Sequence, residues 1–437
     1  MQGERKTLTQ LSVPICLETL FYMLSGMVDT LMLSSVSDQA VGAVGTANTY
    51  IGVFIIMFGV ISSGMVAVMS QNIGAGRPGI AYQARQLGLV FNALTGILMS
   101  VVLAVFSGGI LRAVSIAPAL LESAETYLKI VGGASFLNAL IPIFSSYLRV
   151  FGYTKHSLIG TVVGNVINII LNSVFLFVFH WGVMGVATAT VISKVVNLII
   201  VAAMGAVLIK AKQSPERAQS RRILAQIVKI GFPSAFETAL YNVAMTFIVC
   251  FMNHMDTDGM NVTARSYAMQ IANFSYCVGA ALAQANAIMT GWRIGAKKYE
   301  ECDRGTRKAV IYGLVTATCF SVTFAITGRF IVHIFTNDIQ MIELVVKLLV
   351  VDIFLEFGRV TNLVYGQALK TSGDAIFPVI IGAIFMYLFA VGGTYFLGIH
   401  MGLLAVGAYI AMAGDECARA IGMVLRLSLI HISEPTR

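Results

Sequence analysis

Carboxyl groups set inside long apolar stretches are the chemistry this chain offers. Glu18 and Asp29 lie in one such stretch, Glu237 in a second, Asp352 and Glu356 with Arg359 in a third, and Asp415 and Glu416 with Arg419 in a fourth; Lys194 stands alone in a fifth. An ionisable group in hydrocarbon costs about 2.5–3.5 kcal/mol on insertion scales, so each is a candidate for binding a cation, exchanging a proton or neutralising an opposite charge. Glu18 and Asp29 are eleven residues apart, which on a helix puts them within about 20° of one face and roughly 16 Å apart in depth. Glu18 and Glu237 either meet a cationic ligand or hydrogen-bond neighbouring helices. Asp352, Glu356 and Arg359 follow i, i+4, i+7, a spacing that lets Glu356 and Arg359 pair and leaves Asp352 as a second cation site. Asp415 and Arg419 repeat the i, i+4 pairing.

Aromatic residues within the same stretches, among them Tyr22, Tyr147, Tyr241, Phe274, Tyr276 and Tyr365, suit organic cations, which are held well over aromatic faces. Tyr22, Tyr241 and Phe274 join Glu18, Glu237 and Asp352 as candidates for substrate binding. The 21 methionines could let one cavity accept several shapes. Six cysteines show no CxxC spacing, and the six histidines lie near stretch ends or in loops. Neither a metal site nor a disulfide framework is indicated.

The elements that carry these residues are membrane helices. Apolar residues make up 57% of the 437 and charged residues 11%, against about 25% charged in an average soluble chain. Twelve stretches are long enough to cross a hydrocarbon core of roughly 30 Å, near 11–34, 47–71, 87–111, 126–148, 157–179, 184–208, 224–251, 265–290, 308–332, 342–367, 376–398 and 402–427. Backbone groups facing lipid are satisfied only within a helix or a closed barrel. The fold class is therefore all-α and integral to a membrane.

The chain also says the same thing twice. Pro14, Glu18, Thr19 and Tyr22 recur as Pro233, Glu237, Thr238 and Tyr241, 219 residues later. Ile73-Gly74-Ala75 returns as Ile294-Gly295-Ala296, Leu148 and Gly152 as Leu369 and Gly373, and Gly182 and Val186 as Gly402 and Val406, at offsets of 220 or 221. The expected organisation is an N-terminal six-helix bundle over 1–209, a basic cytoplasmic linker over 210–223 and a C-terminal six-helix bundle over 224–427. Such repeats build many secondary transporters, with the ligand site near the bilayer midplane.

Charge sets the orientation. With the N-terminus in the cytoplasm, Arg77, Arg85, Arg149, Lys155, the basic run from Lys210 to Lys229 and Lys370 fall inside, whereas only Arg112, Lys129, Arg265, Arg329 and Lys347 fall outside. This is the positive-inside pattern, with both termini cytoplasmic in a cell membrane. An even number of helices per repeat makes the two bundles pseudo-symmetric and parallel. The net charge of +8 needs no nucleic acid partner, since basic loops meet anionic headgroups. Residues 428–437 continue no pattern and read as a non-native tail. The partners expected are the lipid bilayer and small molecules, with no obligate protein partner.

These residues resemble a known family. Val13-Pro14 through Glu18, followed by Met27-Val28-Asp29-Thr30 and Ala40-Val41-Gly42-Ala43-Val44-Gly45, is similar to the first-helix signature of the multidrug and toxic compound extrusion (MATE) transporters, in the branch named for the DNA-damage-inducible efflux protein. Ser70-Gln71-Asn72-Ile73-Gly74-Ala75-Gly76 and Gly185-Val186-Ala187-Thr188-Ala189-Thr190-Val191-Ile192-Ser193 resemble the family's segments after helix two and in helix six. The resemblance, over about residues 5–427, implies two bundles facing a central cavity and export of organic cations or drugs, driven by inward protons or sodium, with no other cofactor. It maps the acidic coupling residue onto Asp29, with Asn168, Asn172 and Thr190 beside it, and gives Pro14 as the place where helix one can bend. The alternative for Asp29 is a permanent pair with Lys194.

Two positions depart from the family pattern. Asn172 stands where an aspartate is common, which removes a second carboxylate and favours a proton over sodium as the coupling ion. Gly152-Tyr153-Thr154 replaces a Gly-Asp-Thr that the second copy retains as Gly373-Asp374. A flippase of lipid-linked oligosaccharides is the nearest competing function, but a pyrophosphate cargo calls for an unpaired basic cavity. A membrane-embedded lipid-modifying enzyme would need a convergent nucleophile, base or metal set, and none is legible.

Overall fold

Helices of this length follow from the apolar runs, and their ends follow from the repeated glycines. The computed structural model describes residues 6–113, 116–210, 216–255, 259–334 and 336–433, with residue 38 and residues 428–433 as backbone only. The helices are α1 (Leu8–Ser34), α2 (Asp38–Gly74), α3 (Pro78–Ala113), α4 (Pro118–Tyr127), α5 (Ser135–Val150), α6 (Thr154–Ser173), α7 (Gly182–Leu208), α8 (Ser220–Asn253), α9 (Met260–Gly295), α10 (Tyr299–His333), α11 (Ile339–Ser372), α12 (Ile376–Phe385) and α13 (Leu404–Ser433). Wider π-type turns extend α4 over Leu128–Gly132, α6 over Val174–Val178 and α12 over Met386–Val391 and Thr394–His400.

Two compact units emerge, Met1–Phe232 and Pro233–Arg437. The division falls inside α8, beyond the basic stretch 210–223. The described part of that stretch is pinned to α3: Gln83 donates to the Ala218 carbonyl at 2.8 Å and accepts from the Ala218 amide at 3.1 Å. Residues 211–215 of the linker and 434–437 of the tail lie outside the described residues.

Among the described residues eight helices are long and apolar enough to cross a membrane, and the pair Pro118–Gly132 and Ser135–Val150, bent by 41°, passes the same test when taken together. The stretch 126–148 is therefore two helical pieces, broken at the paired glycines 132 and 133. The remaining spans, α9, α11 and α13, fail that test because they carry the polar interior of the second unit: Asn286, Asp352, Glu356, Asp415, Glu416 and Arg419 are all buried.

Packing is inverted relative to a soluble bundle. On α3, Ala84, Gly88, Asn92, Gly96, Ser100, Leu103, Ser107 and Leu111 make one buried stripe, while Leu94, Ile97, Leu98, Val101 and Val105 point outward. Small residues inside let backbones approach, and apolar side chains outside meet lipid. Gly160 and Gly164 serve the same purpose between α6 and α7. A methyl at Gly160 would meet Val201 at 2.6 Å, and one at Gly164 would meet Asn197 at 3.2 Å.

The repeated glycine motifs are helix stops. Gly152 and Gly373 take left-handed backbone (φ 83° and 102°). Each closes its helix with the same bonds, Gly152 N to Arg149 O and Tyr153 N to Leu148 O in one unit, Gly373 N to Lys370 O and Asp374 N to Leu369 O in the other. This is the double bond of a Schellman cap, which favours glycine. Gly76 (φ 73°) caps α2 in the same way, but its counterpart after α9 is Lys297 at φ 61°.

Candidate functional site

In the first unit, α1 and α6 bring Asp29 to Asn172. Asn172 Nδ2 donates to Asp29 Oδ1 at 2.6 Å and to Asn168 Oδ1 at 3.2 Å. Asn168 and Asn172 are four residues apart on α6 and both buried, while Asp29 is half-buried. The side-chain oxygen of Asn172 is buried without a hydrogen-bond partner. Thr190 is buried on α7 and bonds back to the Val186 carbonyl at 2.8 Å. It stands near Tyr127, whose phenol also lies near Asn48 and within the field of Asp29.

Lys194 is not Asp29's contact partner. It lies within electrostatic reach of Asp29, but its ammonium donates to Asn138 Oδ1 at 2.9 Å. No ion pair joins it to Asp29 among the described residues. Asn138 and Tyr127 were missed in the sequence, because nothing in a neutral polar residue or a lone tyrosine marks the face it occupies.

Glu18 sits deeper along the same helix and is fully engaged. Arg149 Nη2 lies 2.7 Å from its carboxylate, Ser157 donates to it at 3.0 Å and Thr161 at 3.4 Å. The second unit repeats the pair, with Lys370 Nζ at 2.6 Å from Glu237. Both acids thus bond to neighbouring helices, and Glu237 also lines the cavity of the second unit. Arg149 and Lys370, placed by charge rules in cytoplasmic loops, are helix-end residues turned onto these acids. The signal was present: both acid and base recur at the duplicated offset.

Pro14 lies inside α1, which runs unbroken as one helix from Leu8 to Ser34. Tyr22 is 63% exposed.

The second unit holds a cavity of about 450 Å³ lined by residues that include Glu237, Tyr241, Arg265, Tyr276, Asp352 and Arg359. Phe274 is exposed and outside that lining. The expected pairs on α11 and α13 form and fuse into one network. Arg359 pairs with Glu356 and stands 3.8 Å from Glu416. Arg419 grips both oxygens of Asp415 at 2.7 and 3.0 Å and lies 2.9 Å from Glu416. Asn362 and Ser275 supply further bonds to Glu416 and Glu356. Asp352, 3% exposed, lines the cavity with no hydrogen bond or ion pair among the described residues.

The two units therefore share the inner acid–base pair and differ elsewhere. Positions 219 to 221 residues beyond Asp29, Asn168 and Asn172 hold Ile248, Phe389 and Gly393. The Asp29 cluster exists once. Duplicated sets of membrane helices with buried polar clusters are how many transporters are built.

The comparisons with known proteins agree. The family described as MatE matches residues 14–174 and again 233–396, beginning at Pro14 and Pro233, the two residues that open the repeat. The chain belongs to that family of membrane transporters and is not an enzyme. It is similar to an uncharacterized transporter, YisQ, of Bacillus subtilis, with 32% identity over 96% of this chain and 93% of the relative. A probable multidrug resistance protein NorM of Thermotoga maritima is 26% identical over 95% of this chain and 90% of its own length. Among solved structures, an outward-facing multidrug resistance MATE family transporter superposes with a TM-score of 0.88 at 18% identity, covering 98% of this chain and 96% of that one.

Proposed function

We propose that the protein exports organic cations across the cell membrane by alternating access, with inward protons as the driving ion and both termini in the cytoplasm. The observation that carries the choice of ion is the contact of Asn172 with Asp29. An amide offers a donor to a carboxylate and an acceptor to a carboxylic acid. Asn172 already donates to Asp29 Oδ1, and its own oxygen has no partner, so a rotation of the amide serves the protonated acid as well. A proton taken up by Asp29 from outside would displace the exported cation, and its loss to the cytoplasm would ready the next one.

Sodium needs several oxygens around it, as hard cations do. Here Asp29 is the one carboxylate of the cluster, its neighbours Asn168, Asn172 and Thr190 are neutral, and Lys194 adds positive charge within electrostatic reach. Export of a cationic dye from right-side-out vesicles under an imposed proton gradient tests the reading; dye movement that ignores the proton gradient contradicts it.

Flipping a pyrophosphate-linked lipid is disfavoured by the cavity of the second unit. Of its bases, Lys370, Arg359 and Arg419 are each held by a carboxylate. With three of its four bases neutralised, the cavity offers a single unpaired guanidinium, Arg265, too little charge for a pyrophosphate.

A further inference from the structure

The remaining base is Arg265. Charge rules assign it to the outer side, at the start of a span; the structure places it on α9, 8% exposed, in the lining of the second unit's cavity. Its Nε is buried with no hydrogen-bond partner, and its Nη2 bonds only to Met245 Sδ at 3.7 Å. A thioether is a weak acceptor. Among the described residues no carboxylate pairs with this guanidinium. Removing an arginine from water without a carboxylate costs several kcal/mol, so the protein tolerates an electrostatic deficit here that it avoids at Arg359, Arg419 and Lys370.

A matching deficit of opposite sign lies in the same cavity. Asp352 on α11 is buried and unpaired, and Tyr409 of α13 stands in the field of both Asp352 and Arg265. No ion pair joins the two among the described residues, which leaves both side chains open to a ligand. Ser275 bonds to Glu356 and Gly279 faces Val360 across the contact of α9 with α11, a register that sets Arg265 level with residue 346 and Asp352 six residues further along, roughly 9 Å. A cavity of about 450 Å³ between them is the size that drug-like molecules occupy.

We propose that this cavity is a binding site for amphoteric organic molecules, with Arg265 taking the anionic group and Asp352 the cationic group. The guanidinium fork suits a carboxylate. The depth difference selects molecules whose charges are several ångströms apart across a rigid scaffold, not α-amino acids, whose charges sit on adjacent carbons. Tyr241 and Tyr276 line the space between as aromatic walls. The inference rests on the exporter reading for its biological use, but binding alone decides it.

The probes are a xanthylium dye with a free carboxylate and its methyl ester, identical except for the anionic group. Fluorescence anisotropy on the full chain in nanodiscs should show the wild type binding the free acid at least tenfold more tightly than the ester. Arg265→Gln should reduce that preference at least tenfold, and Arg265→Lys, which keeps the charge and loses the fork, severalfold. Asp352→Asn should weaken both dyes. Equal affinity for the two dyes in the wild type, or a preference unchanged in Arg265→Gln and Arg265→Lys, overturns the proposal. If Arg265→Gln does not fold, the preference measured in Arg265→Lys decides alone. Export of the ester from vesicles is scored separately. Ester export without acid preference leaves the exporter reading standing and removes this site; acid preference without export does the reverse.

Discussion

Arg149 Nη2 lies 2.7 Å from the carboxylate of Glu18, and the same inner bond is made again 219 and 221 residues later by Glu237 and Lys370. The duplication thus preserved an interaction between helices, with lysine replacing arginine. Each half keeps the bond that ties its first helix to the end of a later one, and each half is free to vary the polar groups further out.

Removing one partner of such a pair leaves a buried charge, which costs about 3–5 kcal/mol. Arg149→Met should therefore lower stability by about 3 kcal/mol, and adding Glu18→Gln should recover most of it. Thermal unfolding of the purified single and double variants, followed by tryptophan fluorescence, checks the cycle. A double variant no more stable than the single would mean that Arg149 acts by packing.

Lys297 sits at φ 61° where the first copy has Gly76. A non-glycine residue in left-handed backbone costs about 1–2 kcal/mol. Lys297→Gly should thus raise stability by about 1 kcal/mol, seen as a higher melting temperature, while Gly76→Ala should lower it. The opposite ordering would show that the strain at Lys297 is offset by contacts of its side chain.

What could be read from the sequence was depth, and what could not was direction. The duplication, the order of spans and the positions of Asp29 and Asp352 within them are all legible, because charge in an apolar run is conspicuous at any orientation. Helix faces are not, since a span surrounded by lipid has no polar side to mark its interior. Arg149 and Lys370 therefore read as loop charges and Arg265 as a charge at the outer start of a span, although each turns inward. Asn138, which holds Lys194, was invisible for the same reason.

Orientation follows from the distribution of basic residues. Single cysteines at 78, 153, 218 and 300 in a cysteine-free background should label only from the cytoplasm, and those at 181 and 400 only from outside. Labelling of position 218 from outside would invert the topology.

Asp29→Asn keeps the shape of the side chain and removes its charge. It should abolish active efflux, at least a hundredfold in rate, while the protein stays folded and still binds a cationic dye in equilibrium titration. Normal transport by this variant would remove Asp29 from the mechanism and shift attention to Asp352.

The coupling of export to a proton at Asp29 is most directly tested in proteoliposomes that carry the purified chain and a cationic dye. With pH equal on both sides and the membrane potential clamped to zero, a sodium gradient alone should move no dye, whereas a proton gradient of matched size at equal sodium should drive its antiport. Dye movement driven by sodium and absent with protons would contradict the account and make the Asp29 cluster a sodium site.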